Sequence, residues 1–180
     1  LRHICVFSIF KLMKSKKNIV FLGMMGSGKT SIGKLTSKKL KLDFYDIDEL
    51  IENKLKKKIS EIFTLKGEKF FRTIEEKITL RILKQKQKIV VSLGGGAFLN
   101  KNIRKEILNN HISFWLYCDD KTLIQRIKNS HKRPIASNLS NHELSNLIKK
   151  RSNIYSKALY KIDCGRHTKI KIANKIISYL

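Results

Sequence analysis

The sequence predicts an α/β fold in which a mostly parallel sheet is covered by helices on both faces. Short apolar runs alternate with amphipathic stretches along the chain, as expected for successive strand–helix units. A glycine-rich segment, Gly23–Thr30, separates the first apolar run from the first amphipathic stretch. Other polar or glycine-rich segments also follow apolar runs. All of them should meet at the carboxyl edge of the sheet, where such folds bind ligands.

Four apolar runs are predicted to be buried strands, and a fifth, short strand is predicted near the C-terminus. The run after residue 88 is compact and rich in β-branched residues, which favours a central position in a parallel sheet. The predicted strands are Asn18–Leu22, Leu42–Ile47, Ile89–Leu93, Ile112–Tyr117 and Lys161–Asp163.

The stretches between the strands are predicted to be helices. Ser60 is expected to cap a short turn whose Phe63 faces inward, and Asn100 to cap the helix that ends near Leu108. The helix from about residue 68 to 83 has apolar residues near helical spacing, namely Phe70, Ile74, Ile78 and Ile82. The other predicted helices are Ser31–Leu40, Glu49–Leu55, Asp119–Lys128, Glu143–Leu159 and Thr168–Tyr179.

The length of 180 residues fits one domain with a sizeable core. We expect residues 1–12 to be an extension outside the fold, because Met13 and the lysines after it would make a natural start, and residues 13–180 to form a single domain. Three widely spaced cysteines, Cys5, Cys118 and Cys164, favour a reducing compartment such as the cytoplasm over a disulfide framework. No apolar run approaches the roughly 20 residues that cross a bilayer, so no membrane partner is expected.

The net charge of +25 comes from 31 lysines and eight arginines against 14 acidic residues. Such charge attracts nucleic acid without sequence specificity. The lysines are scattered over nearly every segment and lack interleaved aromatic residues, so no specific nucleic-acid partner is predicted. Attraction of small anionic substrates is the expected consequence, and a basic nucleotide-dependent nucleic-acid binder remains an alternative.

Gly23–Thr30, the phosphate loop, fits the pattern G-x-x-x-x-G-K-[ST]. Backbone N–H groups of such a loop, together with the N-terminus of the next helix, bind phosphate oxygens. Lys29 would reach the β- and γ-phosphates, and the Thr30 hydroxyl would bind Mg²⁺. The predicted nucleotide contacts in this segment are Gly26, Ser27, Gly28, Lys29, Thr30 and Ser31.

Asp46 and Asp48 stand at the end of the second predicted strand. One carboxylate can support Mg²⁺ beside the phosphate loop, and the other can hold a substrate hydroxyl and accept its proton. Asp48 could equally be the N-cap of the following helix. From these residues alone, the two interpretations of Asp48 stay open.

Gly94–Gly96, the triple glycine, follows the third predicted strand and permits close approach of backbone N–H groups to an anion. A plain flexible turn is the alternative. Arginines stand out in a chain so rich in lysine, because a guanidinium grips a carboxylate or phosphate through two parallel hydrogen bonds. The candidates are Arg72, Arg126, Arg133, Arg151 and Arg166.

Taken together and in order, these motifs resemble those of shikimate kinases, within the nucleoside-monophosphate-kinase-like group of P-loop kinases. The matching segments are GMMGSGKT, DFYDIDELIE, GEKFFRTIEE, SLGGGA, KRP and KKRSNIY, and the resemblance covers residues 18–180. It implies a three-layer P-loop kinase fold with a central five-stranded sheet and a mobile lid at about residues 126–140. A substrate-binding region at about residues 46–83 is also implied.

The resemblance also implies roles for the acceptor side of the site. Asp48 would hold the reacting hydroxyls of shikimate and accept a proton, while Asp46 would support Mg²⁺ together with Thr30. Arg72 and Arg151 would bind the shikimate carboxylate, with a backbone N–H at or beside the second residue of the triple glycine, Gly95.

Further implied roles concern the nucleotide and the lid. Arg133 matches the lid arginine that reaches the transferring phosphate, so the catalytic set would be Lys29, Asp48 and Arg133. Arg126 and Arg166 resemble residues near the adenine, and Glu75 resembles an acid that steadies the substrate-binding arginine.

The implied function is Mg²⁺-dependent transfer of the γ-phosphoryl group of ATP to the 3-hydroxyl of shikimate. This reaction belongs to the route to chorismate and the aromatic amino acids, and a monomeric enzyme is expected. The alternative within the same class is another small-molecule P-loop kinase, such as a gluconate kinase.

Overall fold

The computed structural model describes residues 18–129, 139–165 and 167–180. Five strands form one sheet within these residues: β1 Ile19–Leu22, β2 Asp43–Asp46, β3 Ile89–Ser92, β4 Ile112–Tyr117 and β5 Tyr160–Asp163. The strand order is β2-β3-β1-β4-β5, and each neighbouring pair is parallel. The predicted α/β fold with a parallel five-stranded sheet is confirmed.

The described residues also form seven α-helices, and a short 3₁₀ turn at Ala97–Leu99. Asn100 caps the fourth helix, as predicted, and the fifth and last helices are capped by Asp119 and Thr168. The helices are α1 Lys29–Leu40, α2 Ile47–Leu55, α3 Ile59–Leu83, α4 Lys101–Asn110, α5 Asp120–Lys128, α6 Asn141–Tyr155 and α7 Lys169–Ile177.

The start of α3 differs from the prediction. Ser60 is not a cap but lies inside α3, whose N-cap is Lys58. The helix runs through Gly67, where φ of 79° and ψ of 169° interrupt the helical conformation. The predicted boundary at residue 68 therefore marks a kink inside α3, because glycine adopts positive φ without steric penalty.

The buried face of α3 was also predicted incorrectly at one position. Phe70 is 37% exposed, whereas its neighbour Phe71 is 3% exposed. Phe71 is aligned at helical spacing with Ile78 and Ile82, and the buried position between them is Glu75. Because one position of the core-facing stripe is a carboxylate, the buried residues of α3 do not form an apolar pattern in the sequence. The apolar spacing therefore indicated Phe70 instead of Phe71.

The sheet has helices on both faces. Ile19, Val20 and Phe21 of β1 are fully buried although successive side chains of a strand point to opposite faces. At the amino edge, the buried Asn18 side chain donates to the Leu83 carbonyl over 2.8 Å and accepts from the Ile89 N–H over 3.2 Å. These bonds tie β1 to the end of α3 and to the start of β3, leaving the carboxyl edge for the polar segments.

Several predictions fall outside the described residues. They concern residues 1–12, Arg166, Arg133 and most of the lid that Arg133 belongs to. Within the described ranges, none of the helices has the length and apolar character needed to cross a membrane.

Candidate active site

The phosphate loop has the backbone that an anion site requires. Gly26 and Gly28 have φ of 82° and 92°, values that residues with a side chain rarely adopt. Gly28 is the N-cap of α1. The buried Lys29 ammonium donates to the carbonyl oxygens of Gly23, at 3.0 Å, and Met24, at 3.1 Å. The loop therefore holds a positive charge within a concave turn at the N-terminus of a helix.

Asp46 links the phosphate loop to the acceptor side of the site. Its Oδ2 accepts a 2.6 Å hydrogen bond from the Thr30 hydroxyl, and its Oδ1 accepts from the N–H groups of Asp48, at 3.0 Å, and Glu49, at 3.4 Å. Asp46 is thus the N-cap of α2, and the interpretation of Asp48 as the cap is wrong. β2 ends at Asp46. Asp48 therefore lies in the first turn of α2 and does not cap that helix.

The side-chain oxygens of Thr30 and Asp46 are suitable ligands for Mg²⁺. This ion prefers oxygen and commonly binds through one or two protein ligands, with substrate phosphates and waters completing its shell. Among the described residues, no group of three or more His, Cys, Asp or Glu side chains is placed so that it could hold a metal ion. A hydroxyl–carboxylate pair beside a phosphate loop does not need such a cluster, so the residues present fit the ion.

Two carboxylates lie against the backbone of Gly94. A Cβ atom at Gly94 would lie 2.6 Å from Oδ1 of Asp48 and 2.6 Å from Oε1 of Glu75. Only a residue without a side chain leaves room for both groups. The first residue of the triple glycine is therefore required by packing and is not merely a flexible turn.

Arg72 is held by two carboxylates of its own helix. Its Nη1 donates to Oε2 of the buried Glu75 over 2.7 Å, and its Nε and Nη2 each donate to Oε1 of Glu68 over 3.1 Å. Burial raises the pKa of the Glu75 carboxyl, and the adjacent Arg72 charge opposes that rise. The contact between Glu75 and Arg72 agrees with the steadying role that the resemblance implies.

Glu68 was not among the residues singled out from the sequence. Its spacing of four residues from Arg72 places the two on one face of α3, and this i,i+4 spacing was the available signal. The guanidinium also lies over the Phe71 ring, 5.1 Å from its centroid. Arg72 is therefore fixed from several sides before any substrate arrives.

Arg151 lies on α6, between the phosphate loop and the triple glycine. Its Nη1 is 3.5 Å from the Gly95 carbonyl oxygen and 3.7 Å from Sδ of Met24. The hydroxyl of Tyr155, one turn further along α6, donates to the same Gly95 carbonyl. Sequence reasoning did not single out Tyr155, although the spacing of four residues from Arg151 was a usable signal.

Arg126 lies on α5, beside the phosphate loop. Its Nη1 donates to the carbonyl oxygen of Gly26 over 3.2 Å and lies 3.5 Å from Sγ of Cys118. Cys118 and Cys164 are buried free thiols. The remaining nucleotide-side candidates, Arg133 and Arg166, lie outside the described residues.

The carboxyl edge of the sheet thus joins a phosphate loop, a hydroxyl–carboxylate pair beside it, a second carboxylate and two oriented arginines. This arrangement defines a P-loop kinase that acts on a small molecule. A family model described as shikimate kinase matches residues 25–180. The chain belongs to the shikimate kinase family and is accordingly an ATP-dependent phosphotransferase.

Individual relatives agree with this assignment. The chain is 39% identical over 162 residues to a curated shikimate kinase of Thermodesulfovibrio yellowstonii, covering 89% of this chain and 93% of the relative. A solved shikimate kinase from Acinetobacter baumannii in complex with shikimate has a TM-score of 0.84 and 30% identity, covering 94% of this chain and 95% of that one. A gluconokinase from Sinorhizobium meliloti has a TM-score of 0.57, but at 15% identity it shares the fold alone.

Proposed function

We propose that the chain transfers the γ-phosphoryl group of ATP to the 3-hydroxyl of shikimate, producing shikimate 3-phosphate and ADP. One observation carries the proposal. Arg72 and Arg151 converge on the triple glycine, while Asp48 lies at its first residue, beside the phosphate loop. Two guanidiniums suit a carboxylate, and a nearby aspartate suits a hydroxyl, so the site is shaped for a small hydroxy acid.

On the nucleotide side, the N–H groups of Gly26–Ser31 would bind the phosphates of ATP, with Lys29 at the β- and γ-phosphates. Thr30 and Asp46 would hold Mg²⁺, which when bound supplies positive charge to the transferring phosphoryl group. The Thr30 hydroxyl and the Asp46 carboxylate are already hydrogen-bonded to each other, so little reorganisation of these two groups would be needed when Mg²⁺ binds.

On the acceptor side, Arg72, Arg151 and the backbone at Gly95 would hold the shikimate carboxylate. Asp48 would hold the 3-hydroxyl in line with the γ-phosphorus and take its proton as the new O–P bond forms. The bond between the γ-phosphorus and the β–γ bridging oxygen breaks, and its electrons leave with ADP. Glu68 and Glu75 would act through Arg72 by holding its guanidinium in place.

The remaining roles concern residues 126–140 and the chain ends. We propose that this segment closes over the bound substrates, that Arg133 then reaches the transferring phosphate, and that Arg126 and Arg166 lie near the adenine. The catalytic domain would span residues 13–180, with residues 1–12 outside it.

The test measures ADP release with shikimate, gluconate or a nucleoside monophosphate as acceptor. We expect rapid ADP release with shikimate only, and loss of that release when Mg²⁺ is chelated. A folded, ATP-binding sample that releases no shikimate-dependent ADP would disprove the proposal. Preference for gluconate would assign the site to the alternative kinase.

A further inference from the structure

The hydroxyl of Tyr155 connects two groups of the acceptor site. Tyr155 is 1% exposed and lies at the end of α6. Its hydroxyl donates a hydrogen bond to the carbonyl oxygen of Gly95, on the loop after β3. Burial raises the pKa of Tyr155 to about 12, and the positive charge of Arg151 opposes that rise. The phenol is therefore neutral at physiological pH and acts as a hydrogen-bond donor.

The bond to Gly95 has a consequence for the backbone that faces the substrate. A peptide group is planar and trans, so fixing the carbonyl of Gly95 also fixes the direction of the Gly96 N–H. Neither Gly95 nor Gly96 has a Cβ atom to restrict its own rotation. Within the loop, the N–H groups of Ala97 and Leu99 donate to the carbonyls of Gly94 and Gly96, whereas the Gly95 carbonyl accepts from the Tyr155 hydroxyl. Tyr155 therefore adds a restraint on this peptide from outside the loop.

The Gly95 carbonyl that Tyr155 holds also contacts Arg151. The buried Nε of Arg151 has no hydrogen-bond partner in the described part of the chain. Its Nη1 has only the long contacts to Gly95 and Met24, of 3.5 Å and 3.7 Å. Arg72, by contrast, is gripped by two carboxylates. The Gly95 carbonyl is therefore one of the few groups that place the Arg151 guanidinium, and Tyr155 holds that carbonyl.

We propose that Tyr155 is a positioning residue for the carboxylate of the acceptor. By holding the Gly95 carbonyl, its hydroxyl orients the peptide between Gly95 and Gly96 and the Arg151 guanidinium that contacts the same carbonyl. These two groups would bind that carboxylate. Tyr155 does not touch the reacting hydroxyl or the phosphates. This inference rests on the proposed function, because it names the part of shikimate that the pair would recognise.

The substitution Tyr155→Phe keeps the ring and removes only the oxygen. We expect the shikimate KM to rise about tenfold, in line with the loss of one buried hydrogen bond and its orienting effect, while the ATP KM and kcat change less than about threefold. Tyr179→Phe is the matched control. The Tyr179 ring packs against Tyr160 at 4.5 Å and against Phe114 at 6.2 Å, away from the site, so its kinetic constants should equal those of the unchanged chain.

A second ligand separates positioning from packing. The methyl ester of shikimate lacks the anionic carboxylate, so its dissociation constant, measured by titration calorimetry, should be nearly equal for the unchanged chain and for Tyr155→Phe. Shikimate itself should bind Tyr155→Phe about tenfold more weakly, in keeping with the loss of one buried hydrogen bond. Equal weakening of both ligands, or of neither, would overturn the inference.

The failure of the proposed function gives a different result. If the unchanged chain binds shikimate but does not phosphorylate it, the proposed reaction fails while the calorimetric comparison still decides the role of Tyr155. If the unchanged chain does not bind shikimate, both proposals are overturned.

Discussion

The guanidinium of Arg72 lies directly against the backbone of Gly96. A Cβ atom at Gly96 would be 2.5 Å from Nη1 of Arg72 and 2.7 Å from its Cζ, distances that heavy atoms do not tolerate. Ion pairs with Glu68 and Glu75 hold the guanidinium, so it cannot move aside without losing those bonds. The last residue of the triple glycine is therefore a condition for the placement of Arg72.

Replacing Gly96 by Ala should displace Arg72 and raise the shikimate KM at least about tenfold, because a bidentate grip on a carboxylate tolerates little misplacement. The ATP KM should stay unchanged. Gly95→Ala is the matched comparison, since its Cβ would lie 3.4 Å from Nη1 of Arg151 and 3.5 Å from the Met25 nitrogen, contacts that can be relaxed. Steady-state kinetics of both variants measure the two KM values. A larger increase in the shikimate KM for Gly95→Ala than for Gly96→Ala would show that the contact between Gly96 and Arg72 does not determine the placement of Arg72.

Asp48→Asn should lower kcat by about 10²- to 10⁴-fold, because the amide can still orient the hydroxyl but cannot accept its proton. The shikimate KM should change much less. Pre-steady-state measurement of the phosphoryl-transfer step checks this expectation. An unchanged transfer rate would remove Asp48 from the chemical step.

Arg72→Lys should have the opposite profile. An ammonium cannot reproduce two parallel hydrogen bonds, so the shikimate KM should rise about tenfold or more while kcat falls only slightly. The measurement is a shikimate titration at saturating ATP. If Arg72→Lys mainly lowered kcat and Asp48→Asn mainly raised KM, the two roles would be interchanged.

Asp46 caps α2, and in the proposed function it also supports Mg²⁺; a pair of variants can separate the two roles. Asp46→Asn should keep the cap of α2, since an amide oxygen also accepts from backbone N–H groups, but it removes the negative charge beside Thr30. The Mg²⁺ concentration for half-maximal activity should rise about tenfold with unchanged unfolding free energy. Asp46→Ala should in addition lower the unfolding free energy by about 1 kcal/mol. An unaltered Mg²⁺ requirement in Asp46→Asn would exclude Asp46 from the metal site.

The raised pKa of Glu75 predicts that the stability of the folded chain depends on pH. Burial raises the pKa of its carboxyl above the ordinary value of 4.5, so at pH just above that value the folded chain binds more protons than the unfolded chain. Stability contributed by Glu75 is then fully present below the ordinary pKa and is lost as pH rises through the raised pKa. Glutamine does not titrate. The unfolding free energy of the unchanged chain, relative to Glu75→Gln, should therefore fall across this window.

Urea unfolding of both proteins at closely spaced pH values above 4.5 measures this difference. Asn102→Ala, which alters an exposed side chain hydrogen-bonded to Glu76, is a control that should leave the pH dependence associated with Glu75 in place. A relative stability that rises with pH would mean that the Arg72 charge outweighs burial and lowers the pKa of Glu75.

Much of the fold could be predicted because its signals are local. β4 has the predicted bounds, Ile112–Tyr117, and Asn100 caps a helix as expected. Such features depend on residues a few positions apart, namely apolar runs and side chains that bond to nearby N–H groups. The prediction failed at α3, where the buried carboxylate of Glu75 occupies a core-facing position and pairs with Arg72. A charge in that place is stable only because of its partner.

By itself, the sequence determined the strand–helix alternation, the phosphate loop and the family, since each depends on contiguous residues or on ordered motifs. Only the tertiary structure decided which groups meet at the carboxyl edge of the sheet. The hydroxyl of Tyr155 reaches the Gly95 carbonyl across 60 positions of the chain, and Thr30 meets Asp46 across 16. Such contacts arise from the packing of helices against the ends of β2 and β3, where directional hydrogen bonds require distances near 3 Å that no local pattern encodes.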